Sequence, residues 1–119
     1  MIKVKIFFQP DGRISGFDVS GHSGTAAEGE DIVCAGVSSL TDTAFLGITE
    51  YLHREVSYDA ASGKLRMELK GSPDEQTESI LQTMLLGISA IAEAYPKAVR
   101  ILKSVSYTHL RAHETRRHL

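Results

Sequence analysis

Two side chains in this sequence have the types and spacing that suit nucleophilic chemistry: Cys34, its single cysteine, and His22, twelve residues earlier. A thiol attacks a carbonyl as its thiolate, and the unpaired N–H groups and positive dipole end of a helix N-terminus favour that anion. Asp31-Ile32-Val33-Cys34 reads as a helix start, with Asp31 as N-cap and Cys34 at about the third position. The amides of that first turn could also receive an oxyanion. His22 directly follows an expected strand, a good place from which to fix a base. Blander roles exist for both: a buried helix cysteine for Cys34, a solvated loop imidazole for His22. Ser38 lies one turn beyond Cys34, where its hydroxyl either reaches the site or bonds the carbonyl of residue 34. An imidazole base usually needs a third group to orient it, and the chain contains no asparagine. Asp31 is the candidate for that part, alongside its role as N-cap. His53 sits about 28 Å along the same helix at 1.5 Å per residue and cannot serve Cys34 within one chain.

Other chemistries lack their residues. One cysteine, one nearby histidine and a carboxylate make no convincing zinc set. Gly21, Gly24 and Gly29 follow neither the P-loop nor the dinucleotide-binding spacing. No metal and no cofactor are therefore expected.

The elements that must position Cys34 and His22 follow from hydrophobic periodicity. Ile2, Val4, Ile6 and Phe8 alternate with lysines before Pro10-Asp11-Gly12, which predicts a strand over 2–9 and a return strand over 13–20. Residues 21–30, with Gly21, Gly24 and Gly29 and mostly small side chains, read as a mobile loop. Val33, Val37, Leu40, Ala44, Ile48 and Leu52 mark one face of a helix over 32–53. A second hairpin is expected from 56–58 and 65–69, with Leu65, Met67 and Leu69 facing the core and 59–63 as its turn. Ser72-Pro73-Asp74-Glu75 predicts a capping box around a first-position proline. Ile80, Leu81, Met84, Leu85, Ile88, Ile91, Ala92 and Tyr95 then supply the stripe of a second helix that Pro96 ends. Residues 99–102 could add a last short strand. The order ββαββα, with two long helices on an antiparallel or mixed sheet, is a two-layer α/β sandwich.

With 119 residues, 42% hydrophobic and 24% charged, the chain suits one domain with one core. No uninterrupted apolar run approaches the roughly 18 residues of a membrane span, and the N-terminus lacks the apolar core of a secretory signal. A lone thiol suits a reducing compartment, so a cytoplasmic protein is expected, with no membrane contact. From Ser104 to Leu119 the character changes: three histidines and three arginines fall within 108–119 without strand or helix period. This segment resembles a translated cloning read-through, with a genuine basic tail as the rival reading, and the domain is taken as 1–103. Those residues hold ten basic and fourteen acidic side chains, a net charge of −4. An acidic body argues against nucleic-acid binding and favours a basic partner.

Gly21-His22-Ser23-Gly24, followed by Gly29-Glu30-Asp31-Ile32-Val33-Cys34-Ala35-Gly36-Val37-Ser38, resembles the signature of the ribosomal-processing cysteine proteases, the Prp family. The similarity extends over 1–103 and includes Tyr95-Pro96-Lys97. Ser23 and Gly36 stand where the commonest form of the motif has alanine, and neither change removes a catalytic group. The resemblance implies that Cys34 and His22 are the catalytic pair and that residues 21–30 form a loop over the site. It also implies a homodimer whose substrate is a basic ribosomal protein, large-subunit protein twenty-seven, from which a short N-terminal extension is removed. Two further readings are a non-catalytic ribosome-assembly factor of the same fold, and a redox-sensing thiol protein.

Overall fold

The computed structural model describes residues 1–21, 30–61 and 64–105, with Glu30 and Asp31 described by backbone alone. Seven elements alternate as ββαββαβ: β1 (Ile2–Phe8), β2 (Ile14–Ser20), α1 (Glu30–Leu46), β3 (Val56–Ala61), β4 (Lys64–Leu69), α2 (Glu75–Ala94) and β5 (Val99–Val105). The strands form one mixed sheet in the order β3-β4-β2-β1-β5, antiparallel except for the parallel β1–β5 pair. Both helices pack on one face of it, the two-layer α/β arrangement expected from the periodicity.

Alternation decides which side chains meet the helices. Ile6 pairs with Phe17, and Phe17 with Met67, so three fully buried side chains stand in one row across the middle of the sheet. Val33, Val37, Ala44 and Ile48 from the first helical segment, with Leu81, Met84 and Ile88 from α2, close the core above that row. Leu65, Met67 and Leu69 face inward as their spacing predicts. The helices approach closely because glycines alternate with branched side chains along their contact. Ile91 covers Gly36, Leu40 covers Gly87 and Ile80 covers Gly47, an antiparallel sequence of contacts.

One irregularity ties the sheet to the helices. The register of β1 and β2 slips between Phe7 and Phe8, so that Phe7 pairs with Gly16 and Phe8 with Ile14. Such a bulge disrupts the local ladder. The Ile14 N–H donates instead to Glu78 Oε1 at 2.8 Å, and the Ser15 hydroxyl donates to the Phe7 carbonyl at 3.3 Å. Glu78 also accepts from Gln82 at 2.9 Å, which holds its carboxylate in place.

Several boundaries differ from the sequence-based expectation. The first helix starts at Glu30, two residues early, and its α-helical part ends at Leu46. A π-helical turn, Gly47–Tyr51, follows, in which the Leu52 N–H reaches the Gly47 carbonyl at 3.0 Å. Glycine is a weak helix former, and the Thr49 hydroxyl takes the Phe45 carbonyl at 2.8 Å, so the ladder is loosened where it widens. β3 continues through Asp59, Ala60 and Ala61, which the composition suggested as turn. α2 is capped by Asp74 rather than by Ser72: Asp74 Oδ1 accepts the Thr77 N–H at 3.0 Å, and Thr77 Oγ1 accepts the Asp74 N–H at 2.9 Å. That reciprocal box places Pro73 just outside the helix. β5 runs to Val105, with Ser104 and Val105 paired to Phe7 and Phe8, two residues beyond the boundary at 103. Ile32–Tyr51 meets the length and composition of a membrane span. Here it is the core helix, whose Val33, Val37, Ala44 and Ile48 are buried against the sheet.

Candidate active site

β2 and α1 are joined by Gly21 and the eight residues 22–29, so this connection, which carries His22, runs from a central strand to the start of the core helix. Ser20, the last residue of β2, pairs with Lys3 on one side and Lys64 on the other, which fixes the strand end within the sheet. Gly21 then turns with φ +96°. Of the loop expected over 21–30, Gly21 is described and Glu30 already belongs to α1, while residues 22–29, with His22, Gly24 and Gly29, lie outside the described residues.

Cys34 is the fifth residue of α1, half-buried and packed against the core cluster beside buried Val33. The early helix start shifts the chemistry by about half a turn from the expected arrangement. Asp31 is the second helical residue and not the N-cap. Among the described residues, the N–H groups that this helix start leaves outside the ladder are those of Glu30, Asp31 and Ile32. The amide of Cys34 falls in the α-helical ladder, so backbone donors for an oxyanion are those of the preceding turn. At the fifth helical position Cys34 begins the second turn, where the field of the helix dipole, which acts mainly over the first turn, is weaker than at the expected third position. Its placement at the edge of the core limits the directions from which a carbonyl can approach.

Ser38 lies one turn further on and is also half-buried, and its carbonyl accepts the Thr41 hydroxyl at 3.1 Å. His53 is at the other end of the helical segment with φ +56°, beside Arg54, Lys70 and Ser72 in a shallow recess, which separates it from Cys34 as the spacing requires. Among the described residues, no group of three or more His, Cys, Asp or Glu side chains is arranged to hold a metal ion. The constraint that sequence reasoning passed over is at Gly21, which composition merged into a flexible loop. The usable signal was a glycine at a strand end directly before the candidate base.

The family model for cysteine protease Prp matches residues 1–100. The ribosomal processing cysteine protease Prp of Staphylococcus aureus, in strains Mu50 and NCTC 8325, is 30% identical over 104 residues, covering 85% of this chain and 97% of that protein. The crystal structure of the S. aureus Prp protease in complex with a substrate peptide superposes with a TM-score of 0.82 at 24% identity, covering 87% of this chain and 100% of that one. The crystal structure of SMU.848 from Streptococcus mutans superposes with a TM-score of 0.77 at 27% identity, covering 89% and 96%. A lone cysteine at the start of the core helix, a histidine-bearing connection before it and a sheet of this order thus fall into one lineage: the chain belongs to the Prp family of ribosomal processing cysteine proteases.

Proposed function

We propose that this protein removes the short N-terminal extension of large-subunit ribosomal protein twenty-seven during bacterial ribosome assembly, with Cys34 as nucleophile and His22 as general base. The observation that carries the reading is the position of Cys34 in the first turns of α1, directly after the connection that bears His22. His22 takes the thiol proton as the Cys34 sulfur attacks the scissile carbonyl, and the same proton passes to the leaving amine. The N–H groups at the start of α1 receive the oxyanion. Water, deprotonated by His22, then hydrolyses the thioester and restores the thiol. Asp31 orients the imidazole, and Ser38 supports the site from the next turn.

Charge supports a basic protein substrate. The segments Glu30–Leu46, Gly47–Tyr51 and Glu75–Ala94 carry seven carboxylates and no lysine or arginine. The helix layer is therefore acidic, and opposite charge speeds encounter with a basic partner. The protein acts in the cytoplasm as a homodimer, without nucleic acid or membrane as direct partner. Mass spectrometry of the extended ribosomal protein after incubation with this chain tests the substrate. Loss of one discrete N-terminal peptide is expected, and an uncut substrate that co-purifies with the chain would point instead to a binding factor.

A further inference from the structure

The flank of α1 that carries Cys34 is the one turned away from α2. At about 100° per residue, Cys34, Ser38 and Phe45 fall within about 40° of one another, and all three are half-buried. Gly36 and Leu40, which meet α2, lie on the opposite side of the helix, with buried Val37 between the two flanks. The sheet on the Cys34 side ends in β3, its edge strand. Val56, Tyr58 and Ala60 of β3 pair with Leu69, Met67 and Leu65 of β4, whose side chains face the helices, so all three belong to the helix-side face. In the middle of the sheet that face is sealed, but in β3 it is open: past half-buried Val56, Tyr58 is 45% exposed and Ala60 is exposed. The rings of Phe45 and Tyr58 lie against each other with centroids 4.3 Å apart. Because β3 begins just after the helical segment ends at Tyr51, it runs back along α1, and Ala60 stands on the Cys34 side of Tyr58. The result is a trough with the Cys34 flank as its wall and Tyr58 and Ala60 as its floor. Its charge has one sign: Asp42 is exposed on α1 and Asp59 on β3, and neither element contains lysine or arginine.

We propose that Tyr58, backed by Phe45, is a specificity site that takes an apolar side chain of an extended, basic substrate segment lying in this trough. Eleven residues of helix separate Cys34 from Phe45, about 16 Å at 1.5 Å per residue. An extended chain covers that distance in about five residues at about 3.3 Å each. The recognised side chain therefore lies about five residues from the cleaved bond, and the basic residues beside it meet the carboxylates of the rim. This inference rests on the reading of Cys34 as the nucleophile toward a basic ribosomal protein.

The test uses the full chain with the extended ribosomal protein and compares wild type with Tyr58→Ala, Tyr58→Phe and Ala60→Arg. Leu86→Ala, an exposed apolar side chain on α2, is the control. Cleavage kinetics, the rate of Cys34 alkylation by iodoacetamide, thermal unfolding and sedimentation velocity are measured on each. Tyr58→Ala should raise KM by about 10-fold or more, the scale on which an apolar contact is discriminated. Its kcat and alkylation rate should stay near wild type, as for a contact made equally in ground and transition states. Tyr58→Phe keeps the ring and should recover most of the loss, and Ala60→Arg, which fills the trough and adds a cation, should raise KM as well. Leu86→Ala should match wild type. An aspartate scan of the substrate should show a sensitive position about five residues from the cleaved bond, and its loss should not add to that of Tyr58→Ala.

Wild-type KM in Tyr58→Ala and Ala60→Arg, or no sensitive position at that distance, would overturn the proposal. So would alkylation slowed in step with kcat, which would place the damage at the thiol. Altered sedimentation with unchanged KM would assign the face to a contact between copies of the chain and would also overturn it. If Tyr58→Ala does not fold, Ala60→Arg, at an exposed position, decides. If the wild type does not cut the substrate, the protease reading falls and the trough is judged by binding to the Cys34→Ala chain. Weaker binding when Tyr58→Ala is added would support the trough, and equal binding or none would overturn it.

Discussion

Replacing Gly16 with alanine should be among the most damaging single-methyl changes to the sheet. Gly16 lies in β2 between Phe7 of β1 and Glu68 of β4. An added Cβ would meet the Met67 carbonyl oxygen and stand 2.9 Å from Glu68 Cα and 3.0 Å from Glu68 Cγ. Two of those three atoms are backbone, so relief requires β4 to move away from β2 by about 0.5–1 Å. An N–H···O bond near 2.9 Å opened by that much is largely lost, since hydrogen bonds weaken beyond about 3.2 Å. Two ladder bonds at about 1 kcal/mol each, with overpacking of about 1–3 kcal/mol, are offset by about 0.5–1 kcal/mol from alanine's lower chain entropy. The net loss is about 2–4 kcal/mol. With roughly 4–8 °C per kcal/mol for a domain of this size, Tm should drop by about 10–25 °C. Thermal and urea unfolding followed by far-UV circular dichroism would read the change. Gly71→Ala serves as control: nothing lies within 4 Å of its added Cβ, and it should stay within about 1 kcal/mol of wild type. A Gly16→Ala protein as stable as wild type would refute the close β2–β4 contact on which the estimate rests.

Further substitutions probe the core and the two tethers of α2. Phe17→Ala, at the centre of the Ile6–Phe17–Met67 row, should cost about 3–5 kcal/mol, read from the urea midpoint. Asp74→Ala should cost about 1 kcal/mol as a lost N-cap, while Asp74→Asn retains most of the cap. The Thr77 backbone N–H, aided by Arg54, holds the Asp74 carboxyl below its ordinary value despite some desolvation. A depressed value means that the ionised form is bound more tightly in the folded state. The contribution is therefore present above about pH 4 and is lost as pH falls through the folded value. The stability gap between wild type and Asp74→Ala should close in acid. Glu78→Ala should cost about 1–3 kcal/mol by orphaning the Ile14 N–H, whereas Glu78→Gln, which keeps an acceptor oxygen, should recover most of it. Chemical denaturation of the two Glu78 variants side by side checks this.

Much of the frame is visible in the amino acids because it depends on local periodicity. Lys3 and Lys5 between Ile2, Val4 and Ile6 can only face away from a core, and the stripe from Ile80 to Ile91 admits only a helix. What periodicity misses depends on contacts distant in sequence. Phe7 points to the face opposite Ile6 and is buried all the same, with the Arg66 guanidinium 4.8 Å from its ring centre. No alternation rule predicts that cover. Ile14 loses its ladder partner to a bulge that is matched only by Glu78, 64 residues away. The first helix starts two residues before the expected position and passes into a π turn at Gly47, and helix propensities, which differ by less than about 1 kcal/mol among most residues, do not fix such boundaries. Cys34 was recognisable by its type and neighbours. Its depth in the helix, and with it which N–H groups the helix start leaves outside the ladder, required the fold. Gly21 shows the same limit, since its neighbour Met1 lies at the far end of a hairpin in sequence but touches it in space.

The single cysteine makes one measurement decisive for the account's central claim. Wild-type protein is alkylated with iodoacetamide in graded amounts, the fraction of Cys34 modified is counted by intact mass, and cleavage of the extended ribosomal protein is measured on each sample. Activity should fall in direct proportion to modification and reach zero at one adduct per chain. Cleavage that persists when every chain carries the adduct would contradict Cys34 as the nucleophile.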